Sequence, residues 1–477
     1  MASLTAPYDR SSLVSGIVHF GLGNFHRAHQ AMFIDRLIRK GEAQDWAILG
    51  VGVMPGDSRM RDVMREQDGL YTLVLKSHGK AEHLVIGSIA GFLFAPDDPK
   101  AVLAAMTADT TRIVSLTVTE GGYNIDDALG TFKTDSLAAV RDAEDPAHPA
   151  TTFGYIVEAL RRRRAVGQQP FTVMSCDNLQ GNGKIAHEAV VAQARMSDPE
   201  LADWIDANVS FPNSMVDRIT PVTTPDDIQF VRDNYDIDDA WPVTCEPFEQ
   251  WVLEDKFTLG RPPLEDAGVQ VVNDAVPYEL MKLRLLNASH QALAHLGRLI
   301  PLKFADEAAA DPDIQAFVRA YLEHEAIPTL KPVPGIDLRD YVDTLFERFT
   351  NEAIKDTLAR LAQDASDRMP KFVISTLRDN IAAGRSVQLG ATLCAAWALG
   401  MEGVAEDGSE IVVDDQLSDE LLPLAAQQEQ GQQTAVISNQ RVFGTLADNA
   451  TFVEEYTKNL ESLRKHGARG TVKALLT

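Results

Sequence analysis

The stretch GIVHFGLGNFHRAH, residues 16–29, decides the fold expected for this chain. Residues 16–20 form a β-branched and aromatic run, which favours a buried strand, and Gly21 and Gly23 follow it directly. A helical pattern then continues through residues 32–37. Glycines between a strand and a helix let the backbone approach a pyrophosphate at the helix N-terminus. This context predicts dinucleotide binding by the residues Gly21, Leu22, Gly23, Asn24 and Phe25.

The fingerprint departs from its usual form in two places. The third glycine is missing, and His26 and Arg27 occupy that region. An acidic residue normally follows at the end of the second strand and binds the ribose hydroxyls, and here Asp57 is the nearest acid. Asp57 would repel a 2′-phosphate and so favours NAD over NADP, although Arg59 and Arg61 stand close by and could hold such a phosphate.

Strand and helix patterns alternate through the first half of the chain. Further strands are predicted at residues 46–51, 72–75, 83–86, 113–118 and 171–175. Alternation of this kind indicates a parallel sheet covered by helices on both faces. From residue 276 the pattern is mostly helical, with helices expected at residues 314–322 and 352–363 and a surface loop at 402–415. The expected fold class is α/β, with a Rossmann-type domain at residues 1–275 and a mostly α-helical domain at 276–477.

Composition limits the classes of function. The net charge of −25 argues against nucleic-acid binding and against an anionic membrane surface. The chain has no apolar run long enough to cross a membrane and no secretory signal at its N-terminus. Cys176, Cys245 and Cys394 have the spacing of neither a disulfide framework nor a zinc site. We therefore expect a cytoplasmic protein that acts on a small molecule and holds no metal.

A second chemical signal lies in the leucine-rich stretch KLRLLNASH, residues 282–290. On a regular α-helix, His290 would lie about 80° and Asn287 about 140° from Lys282, so all three would share one broad face. A buried lysine can serve as a general base, and an asparagine amide can donate a hydrogen bond to an oxyanion. A polar face exposed to solvent would give the same pattern, so the stretch alone does not establish catalysis.

Several motifs in register carry a resemblance to a known family. They are GLGNFHRAH at 21–29, TEGGY at 119–123, DNLQGNG at 177–183, NSMVDRI at 213–219, the Lys282 stretch, and RLAQDASDRMP at 360–370. In this order they resemble the polyol-specific long-chain dehydrogenase/reductases over nearly the whole chain. The resemblance implies a Rossmann-type first domain, a helical second domain and catalysis without a metal. It also implies NAD-dependent oxidation of a polyol to a ketose, with D-mannitol and D-fructose as the preferred pair.

The resemblance further implies a role for each matching residue. Lys282 would be the general base, Asn178 and Asn287 would hold the developing oxyanion, and Glu120 would serve a proton path to solvent. The substrate hydroxyls would be bound by His290, Arg360, Arg368 and Asp217.

Two other functions remain compatible with the sequence. One is a hexuronate reductase of the same superfamily, acting on mannonate or altronate, because two arginines can grip a carboxylate. The other is a catalytically silent NAD-binding protein. The sequence does not fix the oligomeric state, and the resemblance is compatible with a monomer.

Overall fold

A computed structural model describes residues 4–126 and 131–477 of the chain. The chain forms two compact units, a first unit that ends at Val276 and a second unit that spans Pro277–Thr477. Among the helices so described, none combines the length and the apolar composition needed to cross a membrane.

The first unit contains both strands and helices. Its strands are β1 (Ser15–Phe20), β2 (Ala47–Gly52), β3 (Tyr71–Ser77), β4 (Lys80–Ile86), β5 (Ile89–Phe94), β6 (Ile113–Leu116), β7 (Ile125–Asp126), β8 (Thr131–Phe132), β9 (Thr172–Ser175), β10 (Ser214–Asp217), β11 (Val243–Cys245), β12 (Gln250–Glu254) and β13 (Gln270–Val272). Its helices are α1 (Asn24–Ala28), α2 (Gln30–Lys40), α3 (Ser58–Glu66), α4 (Pro99–Thr107), α5 (Thr119–Gly122), α6 (Leu137–Glu144), α7 (Thr152–Ala165), α8 (Asn182–Ser197), α9 (Pro199–Asn208) and α10 (Pro225–Tyr235).

The centre of the first unit is a five-stranded sheet in the order β5-β2-β1-β6-β9. Every neighbouring pair in it is parallel. The order of the strands reverses at β1, which is the arrangement of doubly wound, Rossmann-type folds. The predicted strands at 46–51, 113–118 and 171–175 correspond to β2, β6 and β9, with small changes at their ends. The expected fold class is confirmed.

Successive residues of the central strands face opposite sides of the sheet, and both sides are buried. Ile17 and Ile113 belong to one hydrophobic cluster, whereas Val18 and Val114 belong to another. Burial on both faces explains why these strands carry apolar residues on both sides of the sheet rather than on one side only. The smaller sheets are β11-β3-β4, β10-β12-β13 and β7-β8. The antiparallel pairing of β3 with β4 agrees with the strands predicted at 72–75 and 83–86.

The second unit is helical. Its α-helices are α11 (Val276–Met281, which begins at the last residue of the first unit), α12 (Ala288–Leu299), α13 (Ala305–Ala310), α14 (Pro312–Tyr321), α15 (Leu338–Phe349), α16 (Leu358–Ala362), α17 (Ala365–Met369), α18 (Ser375–Ala382), α19 (Gln388–Gly400), α20 (Ser418–Glu429), α21 (Gln440–Phe443) and α22 (Ala450–Leu476). Three further segments are π-helical: Lys282–Asn287, Leu322–Ala326 and Pro370–Ile374. Helix α12 packs against α13, α14, α16 and α19 and so lies near the centre of this unit.

One predicted helix starts later than expected. The prediction of a helix over residues 352–363 is wrong for its first half, because α16 begins only at Leu358. The Thr357 side chain accepts a hydrogen bond from the Arg360 amide and caps the helix, and Lys355 has a positive φ of 52°. Such a backbone angle interrupts a helix. The loop expected at 402–415 is present and is closed by a bridge between Val404 and Glu410.

Candidate active site

The turn after β1 requires glycine at position 21. Gly21 has a φ of +90°, and a Cβ atom there would lie 2.1 Å from the Thr117 carbonyl oxygen. The Gly21 amide donates to the Val51 carbonyl, and the Thr117 hydroxyl donates to the Gly21 carbonyl at 2.7 Å. These bonds tie together the carboxyl ends of β1, β2 and β6. Ligands of open parallel sheets bind at such ends.

The residues after Gly21 differ in what they can offer to a ligand. Asn24 donates through Nδ2 to the Pro221 carbonyl and the Thr223 hydroxyl, at 3.0 and 2.9 Å. The Asn24 side chain is therefore engaged in hydrogen bonds within the protein, and only its backbone can contact a ligand. Leu22 is buried, and the Phe25 ring stacks on the ring of His29. At Gly23 an added Cβ would meet nothing closer than 3.9 Å, so the backbone there is open to approach.

Two side chains fill the region of the missing third glycine. The His26 ring stacks on the ring of His19 in β1, with centroids 3.4 Å apart. Burial lowers the pKa of His19 to about 3 and the pKa of His26 well below its usual value, so both rings are neutral at neutral pH. Arg27 is buried as well and donates to the Trp241 carbonyl at 2.6 Å. His26 and Arg27 therefore serve packing in this unit.

A cavity of about 550 Å³ opens where β1, β2 and β6 end. Gly21 and Thr117 lie on one part of its wall, and Val53 and Asp57 lie on another. The wall also includes Met54, Val118, Thr119, Gly121, Gly122, Asn124, Phe132, Ala138, Ala139, Ala150, Thr151, Thr152, Phe153 and Gln193. Its position at the reversal of strand order is the position at which Rossmann-type folds bind dinucleotides.

Asp57 reaches this cavity through a local turn. A 3₁₀ turn at Pro55–Asp57 folds the chain back, and the Asp57 carboxylate accepts a hydrogen bond from the Met54 amide at 2.9 Å. A Cβ on Gly52, the last residue of β2, would lie 2.6 Å from the Asp57 Cβ. The turn thus places Asp57 at the end of the second strand, although it comes late in the sequence.

The side chains of Arg59 and Arg61, which follow Asp57 in the sequence, contact other residues of the protein. The Arg59 guanidinium lies 4.2 Å from the centre of the Trp241 ring. Arg61 forms ion pairs with Asp62 and Asp97, at 2.9 and 2.8 Å. Neither arginine lines the cavity. These contacts weaken the alternative that they bind a 2′-phosphate.

The other predicted residues of the first unit follow strand ends. Glu120 lies in the single turn of α5, after β6, and is exposed. Asn178 lies after β9 and is also exposed, whereas Asp217 is the buried last residue of β10. Beside them is a residue that the sequence analysis missed, Asp177, which accepts hydrogen bonds from the Val118 and Thr119 amides.

Asp177 fixes the turn that carries Glu120. Its carboxylate accepts the hydrogen bonds from the Val118 and Thr119 amides at 3.1 and 2.8 Å. It also accepts a hydrogen bond from the Tyr123 hydroxyl at 2.7 Å. Burial outweighs these bonds and raises the pKa of Asp177. The signal in the sequence was an acidic residue two positions after a buried strand, next to Asn178.

In the second unit, the stretch with Lys282 is not a regular α-helix. Lys282–Asn287 is a π-helical segment between α11 and α12, so the predicted offset of about 140° between Lys282 and Asn287 is wrong. A π-helix bonds residue i to i+5, and residues five apart therefore lie about one turn above each other. Both side chains are buried. The Asn287 Nδ2 atom has no hydrogen-bond partner among the residues that the structure describes.

The remaining predicted residues lie on α12 and around α16 and α17. The ring of His290, in α12, is partly buried, with its centre 4.9 Å from that of Phe349. Arg360 pairs with the buried carboxylate of Asp356 through two hydrogen bonds, one of them 2.6 Å long. Arg368 donates through Nη1 to the Arg360 carbonyl at 3.2 Å. Arg360 therefore already binds one carboxylate.

No group of three His, Cys, Asp or Glu side chains within residues 4–126 and 131–477 is arranged to hold a metal ion.

Two family models match this chain. The model of the mannitol dehydrogenase Rossmann domain matches residues 15–266. The model of the mannitol dehydrogenase C-terminal domain matches residues 274–464. The chain belongs to the mannitol dehydrogenase family. The resemblance inferred from the motifs is thereby confirmed.

Members of the mannitol dehydrogenase family are similar to this chain over nearly its whole length. A mannitol 2-dehydrogenase from Cereibacter sphaeroides is 43% identical, and the match covers 99% of each chain. The Pseudomonas fluorescens mannitol 2-dehydrogenase, solved as a ternary complex with NAD and D-mannitol, is 45% identical with a TM-score of 0.90 and covers 99% of this chain and 96% of that one. A D-sorbitol dehydrogenase in substrate-free form is 37% identical, also with a TM-score of 0.90, and covers 98% and 96%.

Proposed function

We propose that this protein is an NAD-dependent mannitol 2-dehydrogenase, which oxidises D-mannitol to D-fructose reversibly. The observation that carries the proposal is the full-length similarity to an enzyme whose structure contains NAD and D-mannitol. The strand order and the cavity support it, because they provide a dinucleotide site of the expected kind.

The first unit binds the cofactor in this proposal. The backbone of Gly21, Leu22 and Gly23 approaches the pyrophosphate, and the turn is narrow enough that only glycine fits at position 21. Asp57 accepts hydrogen bonds from the ribose hydroxyls, which favours NAD over NADP. Bound NAD supplies the acceptor for the hydride that leaves C2 of the polyol.

The second unit supplies the base. The amine of Lys282 takes the proton of the C2 hydroxyl as the C2–H bond breaks and the carbonyl bond forms. The Asn287 Nδ2 atom donates a hydrogen bond to the oxygen as negative charge develops on it. We assign the same role to Asn178. With a base and two amide donors, the reaction needs no metal as a Lewis acid.

Five further residues complete the proposed site. Glu120 is exposed at its turn and passes the proton from the base to solvent. His290, Arg360, Arg368 and Asp217 bind the remaining hydroxyls of the polyol.

The ion pair of Arg360 distinguishes a polyol from an aldonate. A hexuronate reductase would need a guanidinium that is available for the substrate carboxylate. Here the Arg360 Nε and Nη2 atoms both donate to Asp356, whose carboxylate is buried. A substrate with a row of neutral hydroxyl groups can bind beside this ion pair. A substrate carboxylate would bind less well, because the Asp356 carboxylate would repel it.

The test is the rate of NADH formation across hexitols, pentitols and aldonates at matched pH and cofactor concentration. We expect D-mannitol to have the highest kcat/KM, with weaker activity on sorbitol or arabinitol. Higher efficiency on mannonate or altronate would move the protein to the hexuronate reductases. Absence of turnover with every compound, despite NADH binding, would indicate a silent NAD-binding protein.

A further inference from the structure

The π-helical segment Lys282–Asn287 carries a buried charge that the proposed reaction does not use. Arg284 lies between Lys282 and Asn287 in the chain, and only 9% of its side chain is exposed. Its neighbours Leu283, Leu285 and Leu286 are apolar and buried. Burying a charge costs free energy that an apolar residue would avoid, and such charges are best attested where they fix a register.

Arg284 bonds to two separate parts of the second unit. Its Nη1 atom donates to the Thr329 carbonyl at 3.1 Å, and its Nη2 atom lies 2.7 Å from the Asp379 carboxylate. Thr329 ends the short 3₁₀ turn that follows the π segment Leu322–Ala326. Asp379 lies in α18, which follows the π segment Pro370–Ile374. Both of these π segments pack against Lys282–Asn287.

The two regions that carry the partners of Arg284 are linked to each other. Asn380, next to Asp379, donates through Nδ2 to the Glu325 carbonyl at 2.9 Å. The Glu325 carboxylate in turn accepts hydrogen bonds from the Leu389 and Gly390 amides at the start of α19, both 2.8 Å long. The Arg284 guanidinium is thus bonded to segments that are also linked to each other and to α19.

We infer that Arg284 is a positioning residue that holds Lys282–Asn287 in its π-helical register and so keeps Lys282 and Asn287 on the same face. Without this anchor the segment can relax to the α-helical hydrogen-bond pattern. In an α-helix, Asn287 would lie about 140° from Lys282, and the amide would no longer serve the oxygen from which the lysine takes the proton. This inference rests on the proposed roles of Lys282 and Asn287.

The first experiment replaces Arg284 with a residue that keeps the packing. Arg284→Met retains an unbranched apolar side chain and removes both bonds. We expect kcat for D-mannitol to fall by about 10- to 100-fold, the scale of a small misplacement of catalytic groups. The Kd for NADH should change by less than about twofold, because the cofactor site lies in the first unit. Hydrogen exchange should become faster in peptides that cover Lys282–Asn287.

The matched control is another arginine–aspartate pair with the same separation. Arg319 and Asp343 lie 2.7 Å apart and link α14 with α15. Asp343→Asn should leave kcat and the exchange of the Lys282 segment unchanged. Asp379→Asn removes the negative charge of only one of the two partners of Arg284, at a half-exposed side chain, and should lower kcat in the same direction by a smaller factor.

A double variant separates positioning from general damage. If Arg284 acts through the geometry around Lys282, Arg284→Met should lower kcat by no more than about twofold in a Lys282→Ala background. Equal losses in both backgrounds would overturn the inference, as would a folded Arg284→Met enzyme with normal kcat. If Arg284→Met does not fold, Asp379→Asn decides, and a normal kcat in that variant overturns the inference. Near-normal turnover of Lys282→Ala itself would instead overturn the proposed base.

Discussion

Lys282 and Asn287 are the first and last residues of one π-helical segment, and both are buried. Single π turns inside α-helices occur frequently at functional sites. In this protein the π-helical geometry sets a potential base and a hydrogen-bond donor at a smaller angle around the helix axis than the about 140° of a regular α-helix. The proposed chemistry depends on this relationship. The first two predictions test Lys282 as the base and Asn287 as the hydrogen-bond donor.

Removal of the Lys282 amine should abolish most of the base catalysis. We expect Lys282→Ala to lower kcat for D-mannitol at least about 100-fold, the usual scale for a positioned acid–base group. Added primary amines should restore part of the rate because they can take the place of the missing base. Lys303→Ala, at an exposed site of the same unit, is the control. Normal turnover of Lys282→Ala at neutral pH would contradict the assignment.

Removal of an amide donor should act on the transition state. Asn287→Ala should cost about 3 kcal/mol in kcat/KM, as for a single lost oxyanion donor, with much less effect on NADH affinity. Asn178→Ala should behave in the same way if both amides hold the same oxygen. A variant that mainly weakened NADH binding would place its asparagine at the cofactor instead.

Asp57 should set the choice between the two dinucleotides. We expect wild type to prefer NAD, and Asp57→Ala to shift the ratio of kcat/KM toward NADP because the repulsion of a 2′-phosphate is removed. Steady-state kinetics with both cofactors measure the ratio. Glu66→Ala, at an exposed position of α3, should keep the wild-type preference. An unchanged ratio in Asp57→Ala would show that another residue makes the choice.

Asp356 should exclude acidic substrates. Asp356→Asn removes the negative charge that occupies Arg360, so the guanidinium becomes available to a substrate carboxylate. The ratio of kcat/KM for mannonate to that for D-mannitol should therefore rise. Asp367→Asn, which breaks the pair of Asp367 with Lys371, tests whether any lost ion pair in this region has that effect. A ratio that stays constant in Asp356→Asn would separate Arg360 from substrate selection.

Glu325 should make the stability of the protein depend on pH. Burial raises the pKa of Glu325 from 4.5 to about 7. Between these values the folded protein holds a proton that the unfolded chain has released, so stability falls as the pH rises through this window. Glu325→Gln cannot titrate, and its Tm should fall less than that of wild type from about pH 5 to about pH 8. Glu323→Gln, an exposed neighbour, should keep the wild-type slope.

The sequence was sufficient for the central sheet and for the family. The runs that became β1, β2, β6 and β9 carry apolar residues on both faces because both faces of the sheet are buried, and that pattern is local. Gly21 was recognisable because Gly21 and Gly23 stand between a strand and a helix, and the structure adds that a Cβ atom at position 21 would lie 2.1 Å from the Thr117 carbonyl oxygen.

Features that depend on distant contacts were not predictable. The π-helical register of Lys282–Asn287 involves packing against two segments that are remote in sequence. Pro55 and Gly56 indicate a turn before Asp57, but that pair does not show that the turn brings Asp57 back to the end of β2. The helix at Leu358 was placed early because helix formers precede it, whereas the cap at Thr357 sets its true start.

The position of β1 at the centre of its sheet has a consequence during synthesis of the chain. One neighbour of β1 is β6, and His19 pairs with Ser115, 96 residues later. At roughly 5–20 residues per second, the ribosome needs on the order of 5–20 s to make that partner after β1 has been made. During this interval a mostly apolar strand has one unpaired edge, a state that favours aggregation. The nascent chain should therefore depend on chaperones until β6 has emerged.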